Sequence, residues 1–414
     1  MKSEKKPVGD SRIGEEDRIS RLPDSLLCEI LLNFPTKDVI KTSLLCRRWR
    51  YIWRYVPVWD LQINGGLEDA AKFSFFKRFM DFNSSVCLQR VKLRYVGYSF
   101  GFRDSKLINI VFKHKIQHLD LEGYTRDDTI KIPPTIYTSC ERLVSLKLRC
   151  LLLPKPPKSV SLPCLKIIDL QEIKFDDSSA MEVLISGCSA LESLTMDKMY
   201  GDRVSSQSLL SFCLTKTEGG DLDKKTVTMQ APRLKFIKLN NRSIERFIVK
   251  DLGSIIKLDL DGFTNFGETL HSFLTLLSFV RDITISSDIL KVLHKFSESE
   301  SLPQFHNLSS LSIKTGMITW KYLLTFLENC PNLNYLVMVL HKFSESESLP
   351  QFHNLSSLSI KAGTLSWEYL LTFLENCPNL KYLVMDFIEH KWAMNFSDKS
   401  KILGYIGTFE FSSS

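Results

Sequence analysis

The sequence predicts an α/β chain in which three short helices precede an irregular horseshoe of repeated strand and helix units, and three observations lead there. Helical stripes of leucine, isoleucine and tryptophan crowd into residues 17–61, a 47-residue block occurs twice in tandem, and a hexad of the form L-x-x-L-x-[LIM] returns through most of the remaining chain. The 414 residues are long for one compact core. They divide into a disordered tail at 1–16, a helical module at 17–61, a repeat region at 62–386 and a second tail at 387–414.

Pro23 and Asp24 mark the first helix, since a fixed φ and a capping carboxylate both favour a helix start, and Leu22, Leu26, Leu27, Ile30 and Leu31 follow at helical spacing as one stripe. Pro35 closes that unit. Thr36 is placed to cap a second helix that carries Asp38 in its first turn and Val39, Ile40 and Leu44 on its face. Trp49, Ile52, Trp53 and Val56 at i, i+3, i+4 and i+7 predict a third helix, with Arg47, Arg48, Arg50 and Arg54 as its solvated side. Modules below about 70 residues rarely stabilise themselves, so these faces need further cover, and a partner protein is the expected one.

The phrases DRISRLPDSLLCEIL, PTKDVIKTSLLCRRWRYIW and VPVWDL resemble, in order and spacing, the F-box of plant F-box proteins that carry leucine-rich repeats. That resemblance implies docking onto a Skp-type adaptor and, through it, a cullin-based ubiquitin ligase of the SCF class. The residues expected to bind the adaptor are Leu22, Pro23, Leu26, Leu27, Ile30, Leu31, Pro35, Val39, Leu44, Trp49 and Trp53, with Leu27 and Trp49 as anchors.

Residues 293–339 recur as 340–386 with 40 of 47 positions identical, an insertion that a stacked array tolerates because each repeat touches only its neighbours. The hexad starts at Leu88, Ile116, Leu143, Leu165, Leu191, Leu209, Leu234, Ile255, Val280, Leu308, Leu333, Leu355 and Leu380. Their mean spacing of about 24 lies within the leucine-rich repeat range. Alternation within each hexad predicts a short strand with its leucines inward, and segments such as TWKYLLTFLENCPN predict the intervening helices. Cys140, Cys188, Cys330 and Cys377, three residues before a start, are expected to be small buried residues at the turn. The asparagine ladder usual in such repeats is not evident. Strand positions between the inward residues, namely Lys147, Asp169, Lys238, Asp259, Ser312 and Ser359, are expected to line the concave face and contact a target protein.

The resemblance extends over this region through CSALESLTMD, APRLKFIKL and LPQFHNLSSLSIK. Many relatives end in a further FBD domain of several dozen residues. Here only Phe387–Ser414 follow the second copy, so that domain is expected to be missing or truncated.

Other function classes are disfavoured. The net charge of +7 comes from 54 basic and 47 acidic residues, a mixed surface that does not call for nucleic acid. The N-terminus lacks an apolar leader and the longest apolar run, HSFLTLLSFV, stops at Arg281, so neither secretion nor membrane spanning is expected. The five N-x-S triplets starting at Asn83, Asn241, Asn307, Asn354 and Asn395 then mean little as glycosylation sites. Ten cysteines without a C-x-x-C pair predict reduced thiols in cytoplasm or nucleus. DLDGFTNFGE imitates part of a calcium loop, but Lys257 stands where the first carboxylate is needed. His294/His306 and His341/His353 fit no metal spacing, and no nucleophile elbow, P-loop or H-E-x-x-H occurs, so neither a cofactor nor a catalytic residue is expected. The competing readings are a repeat scaffold working outside any ligase and a hydrolase with an unrecognised site.

Overall fold

The computed structural model describes residues 18–19, 21–64, 88–97, 108–109, 111–112, 114–126, 129–157, 159–177, 179–197, 203–215, 225–240, 244–250, 255–261, 270–314, 320–340, 351–362, 372–387 and 408–412. The module opens with α1 (Asp24–Leu31) and α2 (Thr36–Lys41), followed by 3-10 turns at Thr42–Leu44 and Ile52–Tyr55. The expected third helix is therefore not an α-helix. Pro57 pushes the preceding Val56 into extended backbone, with ψ 114°, and Tyr51 enters the 3-10 turn at φ −124°. Because a 3-10 turn also aligns i with i+3, Trp49 and Ile52 still face inward, and Val56 joins them.

Neither expected cap is made, because Pro23 and Pro35 occupy the N-cap positions and offer no side-chain acceptor. Both polar groups serve longer contacts instead. Asp24 Oδ1 accepts from Arg48 Nε at 2.9 Å and Nη2 at 2.6 Å, and Arg48 also donates to the Leu22 carbonyl. Arg48 thus ties the third segment to the first and is not merely a solvated arginine. Thr36 Oγ1 accepts from the Asp60 backbone N–H at 2.7 Å, which fastens α2 to the first strand.

In the N-terminal half the strands are β1 (Val58–Asn64), β2 (Arg90–Gly97), β3 (His118–Thr125), β4 (Ile130–Lys131), β5 (Ser145–Arg149), β6 (Leu151–Leu153), β7 (Ile167–Gln171) and β8 (Lys174–Phe175). Next come β9 (Ser193–Met196), β10 (Arg203–Ser205), β11 (Ser211–Thr215), β12 (Lys225–Gln230), β13 (Phe236–Asn240), β14 (Ile244–Val249) and β15 (Lys257–Asp261). The C-terminal part adds β16 (Asp282–Ile285), β17 (Ser310–Ile313), β18 (Tyr335–Leu340), β19 (Ser357–Ala362), β20 (Tyr382–Phe387) and β21 (Thr408–Ser412). Between them lie α3 (Ala180–Ser186), α4 (Leu270–Phe279), α5 (Ser287–Ser297) and α6 (Trp320–Leu327).

Among the described residues, fifteen of these strands form one parallel sheet whose order follows the chain, while β4, β6, β8 and β10, β12, β14 form two smaller sheets. All thirteen hexad starts are buried, and in each case the strand begins two residues later. The sheet outruns the expected boundaries at both ends. At one end β1 lies largely within the segment read as the helical module, because V-W-D-L alternates and sends Trp59 into the main core, edge-on to His114 at 5.5 Å. At the other, β21 pairs with β20 from within the segment read as a tail.

The four turn cysteines are buried as expected, and Cys188, Cys330 and Cys377 each point Sγ at the carbonyl four residues back, at 3.0, 3.2 and 3.3 Å. Burial pushes the thiols of Cys140, Cys188 and Cys377 up to about 12, and that of Cys330 also upward, which suits packing and not reactivity.

Each copy of the duplication supplies two strands to the sheet and repeats its contacts. Phe305 meets Phe326 at 5.2 Å, as Phe352 meets Phe373 at 5.3 Å, and Gln304 donates to Asn329 as Gln351 does to Asn376. The first residue behaves differently in each: Leu293 belongs to α5, whereas its counterpart Leu340 closes β18. The preceding chain, helical in one case and extended in the other, decides.

The usual ladder position, eight residues after each hexad start, holds no asparagine, but asparagines at another position are bonded in series. Asn307, Asn332, Asn354 and Asn379, each one residue before a hexad start, donate Nδ2 to the carbonyls of Ser278, His306, Pro331 and His353 respectively. This is an asparagine ladder of four rungs along the C-terminal repeats.

Candidate functional site

The residues expected to bind an adaptor separate into two groups. Leu27, Leu31, Val39 and Trp49 pack with Ile52 and Val56 into a core of the module's own, and Trp49 is only 7% exposed. Leu27 and Trp49 are thus enclosed and not presented as anchors. The stripe on α1 has two sides, with Leu27 and Leu31 facing in and Leu26 and Ile30 facing out. Pro23 and Pro35 are exposed and Leu22 is half-buried. Trp53, also half-buried, packs against both the module core and the main-sheet core, so it joins the two parts.

The outward apolar groups of the module include Leu26, Ile30, Phe34, Leu44 and Leu45, with Leu44 at 85% exposure, besides Ile19, Tyr51 and Tyr55. Phe34 and Leu45 were missed by sequence reasoning. Their signal is that they stand in turns, where a large apolar residue has no stripe to join and so has no intramolecular cover.

The six strand positions all stand on one row across the main sheet. Register runs from Lys147 to Asp169, Thr195, Cys213, Lys238 and Asp259, then through Thr284, Ser312 and Val337 to Ser359. Lys147 is exposed and the other five are half-buried. Ahead of Lys147 the same row carries Asp60, Lys92 and Asp120, so charges alternate in sign over its first five strands.

Much of this charge is satisfied internally. Lys314 is paired with Asp259 and lies 3.7 Å from Asp261, while Lys238 lies 3.6 Å from Asp259. The imitation of a calcium loop is thereby explained in part: Asp259 and Asp261 sit on β15 around a lysine ammonium, and positions 262–268 lie outside the described residues. One row over, Glu122 is 8% exposed and accepts from Arg94 Nε at 2.6 Å, Arg149 Nη1 at 3.1 Å and Tyr124 OH at 2.6 Å. Burial pushes its carboxyl upward, but the hydrogen bonds from Tyr124 and Arg94 outweigh that and hold it below the ordinary glutamate value.

Among the described residues no group of three or more histidine, cysteine or carboxylate side chains could hold a metal, and no helix is long and apolar enough to cross a membrane. His294 is buried between α5 and α6, with Nδ1 2.8 Å from Thr325 Oγ1, whereas His306 and His353 are exposed and His341 lies outside the described residues.

A small helical module with its own core, an outward leucine face and a long parallel sheet of leucine repeats is the architecture of an F-box protein with leucine-rich repeats. Residues 19–61 match the F-box domain family, and residues 105–253 match the family described as FBD-associated F-box protein At5g56370, LRR repeats. Putative F-box/FBD/LRR-repeat protein At1g16940 of Arabidopsis thaliana is 58% identical over 329 residues, covering 78% of this chain and 74% of the relative. FBD-associated F-box protein At4g13985 of the same plant is 41% identical, covering 79% and 76%. F-box/LRR-repeat protein 13, again from Arabidopsis thaliana, is 40% identical, covering 77% and 76%. The chain belongs to the plant F-box/FBD/LRR-repeat family.

Proposed function

We propose that this protein is the substrate-receptor subunit of an SCF-type cullin ubiquitin ligase. Its F-box docks onto a Skp-type adaptor, which links it to the cullin, and its repeats, curved as a horseshoe, hold a target protein. The observation that carries the reading is the exposed set Leu26, Ile30, Phe34, Leu44 and Leu45 on a module that already has a core of its own. Outward leucines beside a formed core are surplus to folding and suited to a partner's groove.

The receptor supplies no chemistry in this reading. Holding a target lysine near the ubiquitin thioester raises its effective concentration, and another subunit brings the charged enzyme. The nine described cysteines, all free, fit a reducing cytoplasm or nucleus. Co-expression of the full chain with a Skp-type adaptor, followed by purification through a tag on the adaptor, tests the assembly. A stoichiometric complex supports it, and recovery of the adaptor alone contradicts it.

A further inference from the structure

We infer that the strand-entry edge of the repeats at β13, β15 and β16 is the docking surface for an acidic segment of a partner protein that carries a large apolar residue. This deepens the target-binding half of the proposed function and rests on it.

The second positions of three hexads, Lys235, Ile256 and Arg281, form one row across neighbouring strands. The Ile256 N–H donates to the Lys235 carbonyl at 2.9 Å, and the Arg281 N–H donates to the Ile256 carbonyl at 3.0 Å. On one side of this row the third hexad positions, Phe236, Lys257 and Asp282, stand in register. On the other lie Arg233 and Phe279, each one residue before a hexad start, while residues 251–254 lie outside the described residues. Arg233, Lys235, Lys257 and Arg281 are exposed, and so are Ile256, at 41%, and Phe279, at 48%. Asp282, half-buried, is the one carboxylate among these eight described positions.

The positive excess is local and uncompensated. At the same three positions the preceding repeat carries Ser208, Leu210 and Ser211, and the following repeat carries Asn307, Ser309 and Ser310, none of them charged. Elsewhere on the sheet lysines find carboxylates: Lys166 lies 2.9 Å from Glu192, and Lys238 and Lys314 share Asp259. Among the described residues, none of the four cations of this edge belongs to an ion pair. Folding gains nothing from the arrangement, since like charges on neighbouring strands repel.

Charge complementarity selects carboxylates as the opposing groups. The apolar side chains select the rest of the ligand: Ile256 stands between Lys235 and Arg281, so a segment whose carboxylates reach both cations lays its intervening residue over Ile256. Nucleic acid fits less well, because an unbroken run of phosphates would meet Asp282 and gain nothing from an aliphatic side chain set between the cations. The whole chain, with 54 basic and 47 acidic residues, offers polyanions no general attraction. A bilayer would bury little apolar area on two side chains. The patch also adjoins the next outward row at Lys238 and Asp259, two of the positions expected to contact a target.

The test is fluorescence polarisation of the full chain with a labelled twelve-residue peptide holding two phenylalanines between two runs of five glutamates. Parallel probes are the same peptide with glycine in place of phenylalanine, a twelve-nucleotide oligothymidylate, and vesicles of mixed phosphatidylserine and phosphatidylcholine. Saturable binding of the phenylalanine peptide is expected, weakened at least about 10-fold by Lys235→Glu or Arg281→Glu and by a rise in salt from about 50 to about 200 mM. Ile256→Ser should weaken it about 5-fold or more, by removing the apolar contact. Arg142→Glu, at the same edge beside β5, should leave it within about 2-fold, and because all four side chains are exposed the variants should melt like the native chain. No peptide binding, binding indifferent to the charge reversals, equal affinity for the glycine peptide, or preferred capture of the oligonucleotide or the vesicles would overturn the inference. Adaptor association measured on the same preparation separates the two claims: adaptor binding without peptide binding removes only this inference, and peptide binding without adaptor binding removes only the ligase reading.

Discussion

Asn379 donates its side-chain amide to the carbonyl of His353 across 2.7 Å, and one duplication length earlier Asn332 does the same to His306 across 2.8 Å. Each rung bonds one repeat to the one before it, at a turn where the backbone has no ladder partner. Asn332→Ala and Asn379→Ala should each lower stability by about 1 kcal/mol, toward the smaller end because the groups are exposed. Urea unfolding at fixed pH measures it, and midpoints unmoved in both variants would show that the ladder is not stabilising.

Removing residues 340–386 should leave a folded protein. The deletion joins Val339 to Phe387, so β18 acquires the ending that β20 now has, and β21 meets a strand of the same register. Contacts to immediate neighbours are restored while the stacking surface of one copy is lost, so stability should fall without loss of cooperativity. Circular dichroism decides, and an unfolded deletion variant beside a folded full chain would refute the stacking account.

The Glu122 cluster should make the N-terminal repeats acid-sensitive. Tyr124 and Arg94 hold the folded carboxyl below the ordinary glutamate value against the upward push of burial. A carboxylate with a depressed folded pKa stabilises above its unfolded value, near about 4.3, and that contribution is lost as pH falls toward the folded one. The stability gap between the native chain and Glu122→Gln should therefore be widest at neutral pH and narrow below about pH 4. Thermal melts from pH 7 to pH 3 follow the gap, and a gap that widens on acidification would reverse the assignment.

Leu27→Ala should damage the F-box itself. Its side chain is wholly enclosed with Leu31, Val39, Trp49, Ile52 and Val56, and a buried leucine truncated to alanine costs about 2–5 kcal/mol. Hydrogen exchange confined to residues 21–64 should accelerate, and unchanged protection there would place Leu27 outside the core.

The repeats were the most legible part of the sequence. A strand of five or six residues with two inward leucines leaves a fixed spacing, and every hexad start proved buried two residues before its strand. The ladder was hidden because its asparagines stand outside the hexads and occupy only the last four repeats. The third F-box segment misled because tryptophan and isoleucine at i and i+3 satisfy a 3-10 turn as well as an α-helix. Leu27 and Trp49 looked like anchors because a stripe of apolar residues does not state which of its sides another segment of the same chain will cover. That cover, through Ile52 and Val56, is set by tertiary packing.

The most direct test of the central claim is calorimetric titration of the full chain with a purified Skp-type adaptor, beside a variant carrying Leu44→Asp and Leu45→Asp. Both leucines are exposed, so the variant should melt like the native chain. The account predicts one-to-one binding by the native protein and an affinity at least about 100-fold weaker in the variant, since each buried interface anchor contributes about 2 kcal/mol. Equal affinities, or no association with the native chain, would contradict it.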